Sequence, residues 1–555
     1  MAKSGNNRGV KRRVLPYAFL ALAATAAAGG FALNRLLDRP GETALNLVPA
    51  NALGAVSLDL VPAPDQIVAF KSIDDMIASS GAKLPVGKDG SGLIGSMLGS
   101  MAGDEAVKPI FDQVDRSAAL AMIPKKDGQT DGAEPVALLP IKDPASIEKI
   151  LAKGKVQTID GMPVVTFHGN SDIFFSLQGN VLVASTQGWP VAAVAKVAKG
   201  EAKSITSDAA FMSARSKALP SANLLVLVSP AVAKGEDWLV GSMTIRDTGM
   251  EVAVSGQAND PEIMKAGSLT PIGSSLLAAL PRGAYGFIAT AQPGPAVALA
   301  GKELDEPSKE FNKEMELDLK NDVLPALGGN VAIGLYPGVT TEGGLDILVS
   351  IDEANGADPA TLAKKLEKTL DGKMEEGGKA QEWKVEGHTA DGTMMSRLAD
   401  EPVEEMQKAL AGVEKSFFKP LSLSKGKTVA WATVGRSVLL ATSQPLLDRA
   451  VASRKAPSAA TGLSGDSALG ARPAEAADGQ FALAISMRRL AEGIRNTVDA
   501  SHMSVDTAKT YRKALSLYDT TTEPLAIRAK MGADGRYSGY VSIPFDWSKL
   551  PGLFK

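Results

Sequence analysis

Short apolar runs bounded by Gly, Pro, Asn or Asp recur along the chain after residue 45. Runs of this length, apolar throughout or alternating with polar residues, are typical of β-strands. In the first half of the chain they predict strands at 52–60, 118–123, 135–141, 173–177 and 181–185. Asp143–Pro144 and Asp358–Pro359 predict helix starts, because Asp accepts a free N–H at the N-cap and Pro fits the first helical position. Strand pairs separated by helices predict the α+β class, with mainly antiparallel sheets covered by helices on one face.

Phrases of the first half return in the second half. VLVASTQ at 181–187 matches VLLATSQ at 438–444, and Asp208 in SDAAF aligns with Asp466 in GDSAL. The order of the matching phrases is the same while their spacing varies, which predicts two diverged copies with loop insertions. The predicted organisation is a basic tail at 1–13, an apolar segment at 14–33, a linker at 34–44, copy 1 at 45–265 and copy 2 at 276–547.

The apolar segment Val14–Leu33 carries no charge and follows a basic, acid-free tail. About twenty residues rising 1.5 Å each cross a hydrocarbon core of about 30 Å. The segment therefore predicts a single-pass signal anchor in the inner membrane. The positive-inside rule places the tail in the cytoplasm and the rest of the chain in the periplasm or outside the cell. The side chains expected to contact lipid are Val14, Leu15, Phe19, Leu20, Leu22, Phe31 and Leu33.

Two other interpretations of this segment stay open. In one it is a cleaved signal peptide with the small residues Ala24–Ala28 as its cleavage site, and a mature protein starting near Gly29 would establish that. In the other it is a buried core helix, although its all-round apolarity and its basic flank differ from a half-exposed helix. The apolar run continues to Leu33, past the cleavage site, which favours the anchor.

The composition excludes several classes of protein. The chain has no cysteine, so it has no disulfide, no thiol nucleophile, no cysteine-ligated metal and no lipid-modified N-terminal cysteine. A net charge of -3 argues against a nucleic-acid binder, whose affinity comes mostly from neutralising phosphates. The 555 residues exceed the roughly 250–300 that one core usually covers, so at least two domains are expected.

The motifs that suggest chemistry do not combine into a site. GDSAL at 465–469, with Asp499 and His502 downstream, has the residue types of a serine esterase, but copy 1 has Ala209 opposite Ser467. Both strings are better interpreted as helix caps. The histidines are too far apart in sequence to indicate a metal site: His168, His388 and His502. The sequence therefore predicts no catalytic residue, no metal and no cofactor.

Three glycines are spaced every four residues in GLIGSMLGSMAG, at Gly95, Gly99 and Gly103. On a helix this spacing makes a groove that permits close backbone contact with another helix. The segment predicts self-association or contact with a membrane surface, although it is too short to span a bilayer. A Gly/Ser-rich loop or a helix packed inside copy 1 stays open, and so does the oligomeric state.

Several of these phrases resemble an uncharacterised family of bacterial exported proteins. The resemblance rests on the basic and apolar N-terminus, PANALGAV at 49–56, DVLPALGGNVAIGL at 322–335 and the SDAAF/GDSAL step. It implies a bacterial, membrane-anchored, extracytoplasmic α+β protein and carries over no catalytic residue. Asn51 and Arg282 stand where the family often has an acidic residue, which puts a ligand role for that acid in doubt.

Export, duplication and the lack of a catalytic set predict a non-enzymatic protein of the bacterial envelope. We expect a binding or scaffold module that takes a protein or cell-wall partner, and no nucleic acid, through the cleft between the copies or their exposed sheet edges. The alternative is an exported hydrolase whose site is assembled from distant carboxylates or a serine.

Overall fold

The computed structural model divides the chain into two compact units. The chain passes from unit 1 to unit 2 after Asn259 and returns to unit 1 after Asp546, so the C-terminal turn Trp547–Lys549 belongs to unit 1. The structure describes residues 44–59, 62–79, 108–111, 113–115, 117–125, 132–167, 172–233, 235, 237–258, 264, 268–298, 309, 318–338, 345–352, 361, 373–376, 379–382, 384–388, 394–397, 428–458, 460–500 and 504–549.

Unit 1 combines strands with shorter helices. Its strands are β1 Gly54–Asp59, β2 Ser117–Ile123, β3 Glu134–Pro140, β4 Lys155–Ile159, β5 Met162–Phe167, β6 Ile173–Gln178, β7 Val181–Ser185, β8 Leu224–Val228, β9 Leu239–Arg246 and β10 Gly249–Gln257. Its helices are α1 Ile67–Ser79, α2 Lys108–Phe111, α3 Pro144–Leu151, α4 Gly188–Ala198, α5 Ala209–Arg215 and α6 Pro230–Ala233. The predicted helix start at Asp143–Pro144 is confirmed, since Asp143 accepts the N–H of Ser146 and Pro144 opens α3.

The strands of unit 1 form one antiparallel sheet. Their spatial order is β4-β5-β6-β7-β3-β2-β1-β8-β9-β10. The order places β1 at the centre, between two strands that lie far from it in sequence.

Unit 2 contains the same types of element. Its strands are β11 Gly286–Thr290, β12 Val331–Pro337, β13 Leu345–Asp352, β14 Lys373–Glu376, β15 Lys379–Glu382, β16 Lys384–His388, β17 Met394–Arg397, β18 Thr428–Val434, β19 Ser437–Ala441, β20 Phe481–Ile485, β21 Leu525–Met531 and β22 Arg536–Pro544. Its helices are α7 Ser274–Ala278, α8 Pro293–Ala298, α9 Leu324–Ala326, α10 Gln444–Lys455, α11 Arg472–Ala476, α12 Met487–Ala500 and α13 Val505–Leu515. The predicted helix start at Asp358–Pro359 lies outside the described residues.

The main sheet of unit 2 is also antiparallel, and β14 and β15 pair apart from it as a hairpin. Its spatial order is β16-β17-β18-β19-β13-β12-β11-β20-β21-β22. Among the described residues, ten strands therefore follow each other in the same spatial order in each unit, and β1 and β11 both stand seventh, in the interior of the sheet. The predicted α+β class with largely antiparallel sheets is confirmed.

One face of each sheet forms the main core with helices. In unit 1, small and branched strand residues such as Ala121 and Leu227 pack with Val194 of α4 and Phe211 of α5. In unit 2, strand residues such as Phe287 pack with the helices α7 and α10. We call this the helix-covered face. Since side chains alternate across a strand, the residues between these positions lie on what we call the second face.

A glycine opens the central strand of each unit for the same steric reason. A Cβ on Gly54 would lie 2.8 Å from the carbonyl oxygen of Leu227, and a Cβ on Gly286 would collide with the carbonyl oxygen of Ala484. We expect Gly286→Ala to destabilise unit 2 by about 1–3 kcal/mol, since the neighbouring strand must move.

Urea unfolding monitored by hydrogen exchange of the strands checks this effect. The matched control is Gly241→Ala in β9, where an added Cβ meets nothing nearer than 3.7 Å. Equal loss of stability in the two variants would contradict the steric explanation.

Among the described residues, none of the helices is both long enough and apolar enough to span a membrane. The predicted anchor Val14–Leu33 lies outside the described residues.

Candidate functional site

Several residues singled out in the sequence lie outside the described residues. These are the predicted lipid contacts at 14–33, the glycines Gly95, Gly99 and Gly103, and the histidines His168 and His502. His388 ends strand β16. In the part of the chain that the structure describes, no group of three or more His, Asp or Glu side chains is placed to hold a metal ion.

Asp466, from the GDSAL string, accepts four hydrogen bonds, and its side chain is only 2% exposed. Its Oδ2 accepts from Arg489 Nη1 and from the backbone N–H of Gly283, both at 2.8 Å. Its Oδ1 accepts from Arg489 Nη2 at 2.9 Å and from the N–H of Ala468 at 3.0 Å. Both carboxylate oxygens are therefore occupied by strong donors, while the neighbouring Ser467 is exposed.

The protonation of Asp466 follows from these contacts. Burial alone would raise its pKa, but the hydrogen bonds from Arg489, Gly283 and Ala468 outweigh it and lower the pKa below its usual value. An ionised carboxylate whose acceptor sites are filled is suited to holding structure rather than to transferring protons. The helix cap predicted from the sequence is confirmed for Asp208, which caps α5, but is wrong for Asp466. Asp466 accepts the N–H of Ala468, yet a turn follows it and the next helix, α11, begins only at Arg472, because the main partner of Asp466 is Arg489.

The segment that leads into β11 is held through its backbone carbonyl groups, which accept hydrogen bonds from Tyr336, Arg489 and Arg449. Tyr336 Oη donates to the carbonyl oxygen of Pro281 at 3.0 Å, and Arg489 Nη1 donates to that of Ala284 at 2.6 Å. Arg449 donates to the carbonyl of Arg282 and places its guanidinium 5.9 Å from the centre of the Tyr336 ring. Burial raises the pKa of Tyr336 far above its usual range, so its hydroxyl stays a donor.

A second carboxylate of unit 2, Asp352, is also held by a cation. Its Oδ1 accepts from Ser437 Oγ at 2.6 Å and from Arg454 Nη2 at 2.8 Å. Arg454 lies on α10 and Ser437 on β19, so the ion pair ties the helix to the sheet. This arrangement, like that of Asp466, stabilises packing.

Unit 1 has a buried polar cluster of neutral amides beside the end of β1. Gln66 Nε2 donates to Asn223 Oδ1 at 3.2 Å and to the carbonyl oxygen of Ser221 at 3.0 Å. Asn223 Nδ2 donates to the carbonyl oxygen of Asp59 at 3.2 Å, and Asn223 Oδ1 accepts the N–H of Ile245 at 2.8 Å. The two amides therefore serve backbone groups at the strand ends, which is a structural role.

The second face of unit 2 presents a different kind of surface, which is apolar. One residue from each of six neighbouring strands lies in register across it. In spatial order these residues, all partly exposed, are Ile527, Leu483, Ile288, Ile333, Val349 and Leu440. We call them the apolar row of unit 2. With strands about 4.8 Å apart, the row is about 24 Å long.

The equivalent positions of unit 1 also form an apolar row. In the same spatial order its residues are Gly241, Val226, Val56, Leu120, Ala137 and Ala184, of which Val226 and Ala184 are buried and the other four partly exposed. The side chains around its centre form a separate apolar cluster made of strand residues alone: Val56, Leu58, Leu224, Val226, Val228 and Met243. Beside it on β10, Val252 and Val254 are among the most exposed large apolar side chains of the described residues. Apolar side chains exposed together on a sheet face are typical of a contact surface.

The two apolar rows are therefore the best candidate functional site. The rows do not show as a pattern in the sequence, because each row takes one residue from each of six strands. The signal that could have found them is the apolar residue at the outward position of each central strand, such as Val56 and Ile288, where a solvated sheet face would be polar.

Comparisons with protein-family models, with curated proteins and with solved structures find no match.

Proposed function

We propose that the chain is a non-enzymatic binding protein of the bacterial envelope, and that it holds a protein partner on its apolar rows. The proposal includes an N-terminal anchor at 14–33 and two exported units that are copies of one ancestral unit. It places the chain with the exported family that its phrases resemble. The observation that carries it is the pair of apolar rows at equivalent register positions.

The proposal that the units are copies is supported by local detail. Their strands follow the same spatial order. An added Cβ on Gly54 or on Gly286 would also come too close to a carbonyl oxygen at the equivalent position of the strand beside it. Asp208 and Asp466 each follow a 3-10 turn and each accept the N–H two residues ahead. Since loops diverge faster than cores, such agreement within the sheet supports common descent.

The chemistry of the rows favours a protein over a cell-wall polymer. Sugars offer hydroxyl groups, which need polar partners when water is removed, and the row of unit 2 is aliphatic throughout. Burying aliphatic side chains against another apolar surface contributes about 25 cal/mol per Å². A protein that presents its own apolar stripe fits such a row.

Photo-crosslinking tests this function in cells that produce the full-length protein. We expect Ile333→p-benzoylphenylalanine, placed at the centre of the row, to give one discrete protein adduct on illumination. Adding Ile288→Lys next to it should lower the adduct yield at least fivefold, because a charge at the contact is costly to desolvate. The measurement is the mass and protease sensitivity of the adduct.

The matched control is Met212→p-benzoylphenylalanine on α5, a helix of the helix-covered face, whose side chain is 42% exposed. No adduct at Ile333, or equal adducts at Ile333 and Met212, would overturn the proposal. An adduct resistant to protease would indicate a lipid or polymer instead of a protein. Turnover of an ester, peptide or glycan by the same protein, abolished by one Asp, Glu or Ser substitution, would replace the proposal with the exported hydrolase.

A further inference from the structure

A pair of helices in unit 2 packs against one end of its second face. Between β20 and β21 the chain forms α12 and α13, which contact each other. Leu490, Ile494 and Val498 of α12 are buried, one turn apart along the same helix face. Their cluster includes these residues of the sheet: Tyr285, Leu335, Leu345, Ile485 and Leu525.

Unit 1 has apolar residues at four of the corresponding positions. Gly54 pairs with Met122 and Val228 as Gly286 pairs with Leu335 and Ile485. Val228 then pairs with Leu239 as Ile485 pairs with Leu525. Leu53 precedes Gly54 as Tyr285 precedes Gly286. We call these four residues of unit 1 the helix-free patch: Leu53, Met122, Val228 and Leu239.

The connection between the corresponding strands of unit 1 is too short for a helix pair. Only residues 229–238 join β8 to β9, and their one helix, α6 Pro230–Ala233, buries none of its side chains. Three residues of the helix-free patch, Met122, Val228 and Leu239, are partly exposed. Unit 1 therefore keeps the apolar residues on which unit 2 seats a helix pair, and no helix pair covers them among the described residues of unit 1.

We infer that the helix-free patch binds an amphipathic helix of a partner protein, in the way that unit 2 binds α12. The inference rests on the proposed function and names the element that the partner contributes. The helix recognised has three apolar residues spaced four apart, as Leu490, Ile494 and Val498 are. This is helix-in-groove recognition, in which the apolar stripe supplies most of the affinity.

A peptide of residues 485–518 is the probe for this inference, since it carries α12 and α13. Its helicity is established first by circular dichroism, and a fluorescent label then reports its binding to the full-length protein in lipid nanodiscs. We expect saturable binding above that to empty nanodiscs, weakened at least tenfold by Met122→Lys. Because that variant can also fail to fold, Val228→Thr is measured too, and should weaken binding about threefold while keeping the shape of the side chain.

Two controls and three outcomes decide the inference. Val156→Lys should leave binding unchanged, and a peptide with Ile494→Asp should not bind. No saturable binding, or binding indifferent to both Met122→Lys and Val228→Thr, would overturn the inference. A dimer of the full-length protein that Met122→Lys dissolves would overturn it as well, by assigning the patch to a second copy. The Ile333 adduct is measured without the peptide, so it shows separately whether the proposed function stands.

Discussion

Asp466→Asn is expected to destabilise unit 2 by about 3 kcal/mol, since it leaves the Arg489 guanidinium without its charged partner in a mostly buried place. Arg489 keeps some contact with water, its side chain being 27% exposed, so the loss should lie at the low end of the range for broken buried pairs. The measurement is hydrogen exchange of β11, β12 and β20 under increasing urea.

The pH dependence of this effect has a definite sign. Because the folded protein lowers the pKa of Asp466, its ionised form contributes stability that is fully present above the unfolded value near 3.9. That contribution is lost as the pH falls through the lower folded pKa. The difference between the natural protein and Asp466→Asn should therefore be constant above about pH 5 and should shrink below about pH 4.

Asp208→Asn is the matched control in unit 1. Asp208 caps α5 through the N–H of Ala210 at 2.9 Å, in an exposed hydrogen bond. Asn caps helices about as well as Asp, so this substitution should change stability by only a few tenths of a kcal/mol. If the two Asn variants lost equal stability, the ion pair with Arg489 would not be the cause.

Trp547→Ala is expected to destabilise unit 1 by about 3–5 kcal/mol, the usual cost of removing a buried aromatic side chain. Trp547 is 8% exposed, and its turn packs against α1. Its Nε1 donates to the carbonyl oxygens of Arg246 at 2.7 Å and of Gly249 at 3.3 Å, the residues on either side of the β9–β10 turn. Hydrogen exchange should accelerate in α1, β9 and β10 and stay unchanged in β11 and β12.

Two further substitutions separate packing from hydrogen bonding at this turn. Trp547→Phe keeps an aromatic ring and removes the N–H, so it should cost about 1–2 kcal/mol. Val505→Lys, at an 81% exposed site of unit 2, should leave the exchange of unit 1 unchanged. Faster exchange spread equally over both units in Trp547→Ala would contradict a local role for the turn.

The sequence was sufficient to predict features that depend on neighbouring residues. The strands expected at 52–60, 118–123 and 181–185 appear as β1, β2 and β7, because each is a short apolar or alternating run with turn residues near its ends. The cap at Asp143 also follows from adjacent residues. β4 and β5 were not predicted, because KVQTI has only two apolar residues and Pro163 interrupts the apolar run of β5.

Features that depend on distant residues were not predictable in the same way. The matched phrases place Val183 opposite Leu440, whereas the strand pairings make Val183 equivalent to Leu439. A shift of one residue exchanges the two faces of a strand, and a run of similar apolar residues does not fix it. The bonds of Asp466 to Arg489 and Gly283 also depend on the pairing of strands far apart in sequence, as do the two apolar rows.

The return of the chain to unit 1 sets an order in which the protein can be completed during synthesis. Leu45, near the first described residue, is fully buried in unit 1, while Trp547 leaves the ribosome only after all of unit 2, Asp260–Asp546, has been made. The unit that starts first is thus finished last. A nonsense mutation or a stalled ribosome just before Trp547 would spare the sheet of unit 2 and leave unit 1 without its closing turn. Quality-control proteases should then cut first in unit 1, the part of the chain that is synthesised first.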